Sequence, residues 1–256
     1  MQVVIVPSKE IGARIVADAI ERLINWNPDF VLGLATGSSP IPLYNELVSR
    51  KGGIDRDPIE WLAVTTFNLD EYHPIDPAHP DSYRSFMHRH FFDLLGQEPH
   101  HIHLLDGQAK DVEDHCRKYE QSIIDAGGID LQILGIGNNA HIAFNEPGSP
   151  FDSRTRRVEL DKATRQANKR FFDDDITKVP THALTMGMGT IMAARQIFLL
   201  ASGEAKAQAI ANAVEGPVTT RVPASALQLH GNATFVVDPA AASLLRRDNY
   251  VKIADY

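Results

Sequence analysis

The residues best suited to chemistry lie in the segment 131–147, LQILGIGNNAHIAFNEP. Its apolar start, residues 131–136, is typical of a strand buried on both faces of a parallel sheet. Paired asparagines, His141 and Glu146 follow at once. Because histidine titrates nearest to neutrality, His141 close to a carboxylate indicates acid–base catalysis. The alternative is a histidine that only stabilises a tight turn, and the rest of the chain must decide between them.

A second segment has the residue types of an anion site. The apolar run 30–35 predicts a strand, and it ends in Thr36, Gly37, Ser38 and Ser39. The start of a following helix would present free backbone N–H groups and a positive dipole end, to which hydroxyl groups add donors. A plain helix cap is the alternative interpretation of the same residues.

Cations come from later in the chain. Residues 196–201 predict another strand, and the turn that follows it leads to Lys206, which would neutralise an anion or lie exposed on a helix. Two dense basic patches cover residues 153–157 and 164–172, the second of which contains Arg170. The planar guanidinium group suits phosphate oxygens. Most of these charges are expected on a solvated face or in pairs between subunits, with one or two holding a ligand.

Two adjacent carboxylates, Asp70 and Glu71, follow the predicted strand 61–69. Successive side chains of extended backbone point in opposite directions, so only one of them can easily face a given pocket. The alternative is that both carboxylates cap the loop that follows.

The elements that must position these residues alternate along the chain. Strands are predicted at residues 2–6, 30–35, 61–69, 131–136, 196–201 and 233–237, and helices after Ser8 and at 82–95, 111–126, 180–194 and 240–245. This alternation predicts a doubly wound, mainly parallel α/β sheet with helices on both faces, Rossmann-like, in a single domain over residues 1–256. Strand ends share one edge of such a sheet, so Thr36, Asp70, Asn139 and Lys206 are expected to meet in one crevice.

Composition excludes several function classes. The formal net charge of −8 argues against a nucleic-acid partner or an anionic membrane surface, and there is no apolar run of 18 residues. A single cysteine, Cys116, favours the cytoplasm. The aromatic residues of segment 82–95 are expected in the core. No metal site is expected, because His88, His90, His100, His101 and His103 lack the spacing of known ligand motifs.

Seven ordered segments give the chain a family resemblance over essentially its full length: LGLATGSSPIPLY, TTFNLDEY, GIGNNAHIAFNEP, SRTRRVEL, TRQANKRFF, ALTMGMGTI and SGEAKAQAI. The chain resembles the glucosamine-6-phosphate deaminases. The resemblance implies a reaction of amino-sugar metabolism and N-acetylglucosamine degradation. Glucosamine 6-phosphate and water give fructose 6-phosphate and ammonia, with no metal or organic cofactor.

The resemblance also implies roles for particular residues. By this resemblance, His141 corresponds to the base that helps to open the sugar ring, and Glu146 and Asn139 support its imidazole. Asp70 corresponds to the carboxylate that moves a proton from C2 to C1. The substrate-binding positions of the family correspond to Thr36, Gly37, Ser38, Ser39, Arg170 and Lys206, with the last two as phosphate cations. A small amino-sugar phosphate is thus the expected partner, and assembly into a homo-oligomer stays open.

Three positions depart from the family pattern. Asn139 and Ala140 precede His141 where many relatives have Asp-Gly. An amide can hold the imidazole by a hydrogen bond but cannot offset its positive charge, so we expect the pH range of activity to be shifted. If residue 140 has a positive φ, alanine there costs about 1 kcal/mol. Val158 stands where relatives activated by N-acetylglucosamine 6-phosphate have a basic residue, which argues against such activation.

Three other functions remain alternatives. 6-Phosphogluconolactonase shares the fold and the glycine–histidine loop, but residues 144–147 have the deaminase form. Deamination of galactosamine 6-phosphate differs only in the configuration of one hydroxyl group. A non-catalytic sugar-phosphate sensor would not need Asp70, His141 and Glu146 together.

Overall fold

A computed structural model describes residues 1–50, 59–96 and 99–254. Eight strands form one sheet in the order β11-β1-β10-β9-β6-β2-β3-β5, and every pairing between them is parallel. They are β1 Gln2–Ile5, β2 Val31–Leu34, β3 Thr65–Asn68, β5 His101–His103, β6 Leu131–Leu134, β9 Gln196–Ala201, β10 Ala233–Val237 and β11 Val251–Lys252. The predicted doubly wound, mainly parallel sheet is confirmed.

Helices lie around the sheet, and most of them bury apolar side chains in its core. They are α1 Lys9–Trp26, α2 Ile41–Ser49, α3 Tyr83–His90, α4 Val112–Asp125, α5 Lys162–Asn168, α6 Met188–Met192 and α7 Ala207–Glu215. The predicted N-cap at Ser8 is confirmed, since its side chain accepts the N–H of Ile11. Within the described ranges, no helix is both long and apolar enough to span a bilayer.

A second, antiparallel sheet of three strands was not predicted. Its order is β4-β8-β7, from β4 Asp70–His73, β8 His182–Thr185 and β7 Arg156–Glu159. The predicted strand 61–69 is only the shorter β3, and the chain leaves the main sheet at Leu69. Asp70 therefore opens a strand of the small sheet, and only Leu69 separates it from the end of β3.

Two predicted helices are wrong. In the segment 180–194, residues 182–185 form β8, which pairs with β4 and β7 on either side, and only the short α6 is helical. A side chain at Gly187 would collide with the carbonyl group of Ser153, so this glycine permits close backbone packing. The segment 240–245 forms turns, since its backbone makes three-residue hydrogen bonds, from Ser243 to Ala240 and from Leu245 to Ala242, instead of a continuous series with the spacing of an α-helix.

Candidate active site

One cavity of about 480 Å³ lies at the carboxyl edge of the main sheet. The strands β9, β6, β2 and β3 are successive neighbours there, so the turns that follow them converge. Nine of the ten predicted site residues line this cavity: Thr36, Gly37, Ser38, Ser39, Asp70, Asn139, His141, Arg170 and Lys206. Glu146 does not line it and lies behind His141.

Asp70 faces the cavity from the first position of β4, and its side chain is only slightly accessible. Burial raises the pKa of Asp70 to about 8, and the negative charge of Glu71 adds to the shift. The hydroxyl group of Thr36 donates to Oδ1 of Asp70 at 3.4 Å, and this hydrogen bond lowers the pKa of Asp70. A carboxyl group with such a pKa is suited to gain and lose a proton near neutral pH, which proton transfer in catalysis requires.

Glu71 points away from the cavity, as the alternation of extended backbone predicts. Its carboxylate accepts the backbone N–H groups of Tyr83 and Arg84 at 2.8 and 2.9 Å, at the start of α3. The structure therefore favours the interpretation in which only one of the two adjacent carboxylates faces the cavity. Asp70 faces it, and Glu71 stabilises the start of α3.

The imidazole of His141 lies beside a buried carboxylate. Nδ1 of His141 is 3.4 Å from Oε2 of Glu146, and Nδ2 of Asn139 donates to the same oxygen at 2.7 Å. The hydroxyl group of Thr164 donates to the other oxygen. Burial opposes ionisation of Glu146, but His141 and these hydrogen bonds outweigh it and hold the pKa of Glu146 below its usual value. Glu146 is therefore the anion of the cluster.

Asn139 acts on the backbone rather than on the imidazole. Its Oδ1 accepts the N–H of His141 at 3.2 Å, while its Nδ2 binds Glu146. Between them Ala140 has a φ of 65°, so the condition for strain at this alanine is met. A side chain at Gly137 would collide with the His141 ring, so glycine lets the imidazole lie against the turn.

The other wall of the cavity is cationic. Nζ of Lys206 donates to Oδ1 of Asn138 at 2.9 Å, and burial together with the nearby charge of Arg170 lowers the pKa of Lys206. The guanidinium group of Arg170 stacks on the ring of Phe171, 4.7 Å from its centroid. Gly37, with a φ of 88°, turns the chain so that Ser38 and Ser39 line the same space before α2. This wall suits a dianion.

Several cavity residues were not predicted as site residues, among them Tyr72, Tyr83, Phe86, Asn138 and Asn168. Tyr83 and Phe86 were expected in the core. Their i, i+3 spacing signals a common helix face, but the direction of that face depends on how α3 packs. Phe91 and Phe92 are buried in the core as expected. Among residues 1–50, 59–96 and 99–254 no group of three or more metal-ligating side chains occurs.

The fold and the cavity together define a doubly wound α/β protein whose crevice is lined by carboxyl, imidazole and cationic side chains. Residues 9–236 match the family described as glucosamine-6-phosphate isomerases/6-phosphogluconolactonase, and the chain belongs to that family.

Relatives within the family agree over nearly the whole chain. The chain is 51% identical to a glucosamine-6-phosphate deaminase of Arthrobacter sp. (strain FB24), with 98% of this chain and 95% of the relative covered. It is 48% identical to glucosamine-6-phosphate deaminase 2 of Bacillus subtilis (strain 168), covering 98% and 100%. A solved structure of a monomeric glucosamine-6-phosphate deaminase is 42% identical, with a TM-score of 0.91 over 95% of this chain and 100% of that one. A 6-phosphogluconolactonase from Thermotoga maritima, 19% identical with a TM-score of 0.73 over 93% and 100%, shares the fold.

Proposed function

We propose that this protein converts glucosamine 6-phosphate and water into fructose 6-phosphate and ammonia. The observation that carries the proposal is the meeting, in one cavity, of a buried carboxyl group, a histidine backed by a carboxylate, and two cations. Isomerisation of a sugar phosphate needs each of these. The cations hold the phosphate group, and the other groups move protons.

Substrate binding begins at the cationic wall. Arg170 and Lys206 hold the phosphate dianion, and the hydroxyl and N–H groups of residues 36–39 add donors to the sugar phosphate. Arg170 is exposed and stacked on Phe171, so it reaches the ligand from the rim, whereas Lys206 is fixed deeper by Asn138. Binding through both fixes the sugar relative to Asp70 and His141.

Ring opening is the work of His141. The imidazole accepts a proton from the hydroxyl group at C1 and returns one to the ring oxygen, so that the C1 aldehyde forms. Glu146 stabilises the transient imidazolium, with which it shares a contact of 3.4 Å. Asn139 holds Glu146 and the backbone of His141 at once.

Deamination follows from a proton transfer by Asp70. Its carboxylate removes the proton from C2 while the ammonium group at C2 gives a proton to O1 of the aldehyde, so that an enolamine forms, and the acid form of Asp70 then returns its proton to C1. The resulting imine at C2 adds water and releases ammonia, which leaves the ketone of fructose 6-phosphate. A carboxyl group with a pKa near 8 serves both as base and as acid in this sequence.

The test is a parallel assay of three substrates with purified protein and no added metal. We expect ammonia and fructose 6-phosphate from glucosamine 6-phosphate. No turnover of that substrate, with turnover of galactosamine 6-phosphate or 6-phosphogluconolactone, would overturn the proposal in favour of one of those activities. Binding of all three without turnover would identify a sensor.

Two further properties belong to the same proposal. A cytoplasmic location is supported by the single cysteine, which is buried. We expect no activation by N-acetylglucosamine 6-phosphate. Val158 packs against the smaller apolar core that contains Tyr72 and Phe144, and it offers no charge to a phosphate group.

A further inference from the structure

Glu71 is a buried carboxylate that the proposed reaction does not use. It is 2% exposed and lies outside the cavity lining, on the opposite side of β4 from Asp70. Burying a carboxylate is costly unless hydrogen bonds compensate for the lost water. Here three backbone N–H groups do so, those of Tyr72, Tyr83 and Arg84, at 2.8–2.9 Å.

These hydrogen bonds join two elements of the site. The N–H groups of Tyr83 and Arg84 are the first two of α3, and helix geometry leaves them without partners inside the helix. Ser82 accepts only the third, that of Ser85. Glu71 thus completes the cap of α3 from a strand twelve residues earlier. β4 contributes Asp70 and Tyr72 to the cavity wall and α3 contributes Tyr83, so the tether fixes one part of the wall against another.

The charge of Glu71 also acts on Asp70. Burial raises the pKa of Glu71 to about 7, against its three N–H donors and the positive charge of Arg84. When Glu71 is ionised, its negative charge favours the protonated form of Asp70. The other groups that face Asp70 are the hydroxyl group of Thr36 and the phenols of Tyr44, Tyr72, Tyr83 and Tyr119. Burial raises the pKa of each of these phenols, and the negative charge of Asp70 raises it further.

We propose that Glu71 is a positioning residue for the proton transfer: it holds the strand that presents Asp70 against α3, and its negative charge extends to higher pH the range in which Asp70 carries the proton. The inference rests on the proposed function. It assigns two separable tasks to one side chain, a tether through hydrogen bonds and a field through charge.

Two variants separate the tasks. Glu71→Gln removes the charge and places an N–H₂ group against one of the N–H donors. We expect the acid limb of kcat/KM to move down by about one pH unit and kcat at its plateau to fall by about tenfold, with KM changed less than twofold. Glu71→Asp keeps the charge but is one methylene too short for the cap. Its acid limb should coincide with that of the wild type while kcat falls.

The matched control is Glu113→Gln, which removes an exposed carboxylate from the first turn of α4. This variant should leave both the acid limb of kcat/KM and the plateau value of kcat unchanged. An acid limb that stays in place in Glu71→Gln would overturn the inference, because a merely structural role lowers activity without moving the limb. If that variant does not fold, unchanged kcat in Glu71→Asp overturns it instead. The proposed function itself is tested first, with the wild-type protein in the same assay. If the wild type releases no ammonia, the proposed function is refuted before any variant is compared.

Discussion

Nδ1 of His141 lies 3.4 Å from Oε2 of Glu146, yet only the histidine lines the cavity. Any effect of Glu146 on a molecule bound in the cavity must therefore pass through the imidazole. Its ionised form is favoured in the folded protein, where hydrogen bonds and the histidine outweigh the burial that opposes it. Activity and stability are accordingly coupled at this carboxylate.

Glu146→Gln should lower both kcat and stability, but the stability loss should depend on pH. A folded-state pKa below the ordinary value of 4.5 means that the carboxylate stabilises the fold above pH 4.5, and that this contribution disappears as the pH falls through the folded-state pKa. Thermal unfolding at pH 7 and at pH 3.5 measures the difference between variant and wild type. An equal loss at both pH values would show that packing, rather than charge, accounts for the effect.

Asp70→Asn should abolish turnover and leave sugar-phosphate binding largely intact, because an amide of the same shape cannot move the C2 proton. Calorimetric titration with glucosamine 6-phosphate measures the binding, and ammonia release measures the turnover. Near-normal turnover in this variant would remove Asp70 from its proposed role.

The same substitution should stabilise the protein at alkaline pH. The folded state raises the pKa of Asp70 from 3.8 to about 8, so its protonated form is favoured in the fold. The associated stability is fully present below pH 3.8 and is lost as the pH rises to about 8. Asparagine is neutral throughout, so Asp70→Asn should raise Tm by at least about 4 °C at pH 8.5 and leave it nearly unchanged at pH 4. A lower Tm at pH 8.5 would contradict the burial argument.

The wild-type pH profile tests the Asp70 carboxylate as the initial base. Only the ionised form removes a proton from C2, so kcat/KM should rise with pH along an acid limb centred near 8. A limb centred near pH 4 would show that Asp70 ionises as if it were in water.

The sequence predicted the meeting of distant residues better than it predicted the small sheet. Thr36, Asp70, Asn139 and Lys206 were expected together because apolar runs ending in polar turns identify the strand ends of a parallel sheet. That pattern is local. By contrast, residues 182–185 are a strand because they pair with β4 and β7, and such long-range pairing overrides a local helical pattern.

The finer arrangement of the site also depends on tertiary structure. The sequence predicted strain at Ala140 only if the φ angle of this residue is positive. That the angle is positive follows from the geometry of the folded turn. The alternation of extended backbone indicated only that one of Asp70 and Glu71 faces a pocket, and Asp70 was named from its place at the strand end and from the family resemblance. The choice follows from α3, whose unpaired N–H groups bind Glu71 and so turn Asp70 to the cavity.

Arg170→Ala should raise KM for glucosamine 6-phosphate by about 10- to 100-fold with little change in kcat, since a hydrogen bond to a charged group contributes about 1.5–3 kcal/mol. Lys162→Ala, at the exposed start of α5, removes a positive charge outside the cavity lining and serves as the matched control. Glucosamine without its phosphate group should be turned over equally poorly by Arg170→Ala and by the wild type, because the lost contact is specific to the phosphate. An unchanged KM for the phosphorylated substrate would assign Arg170 to the solvated face.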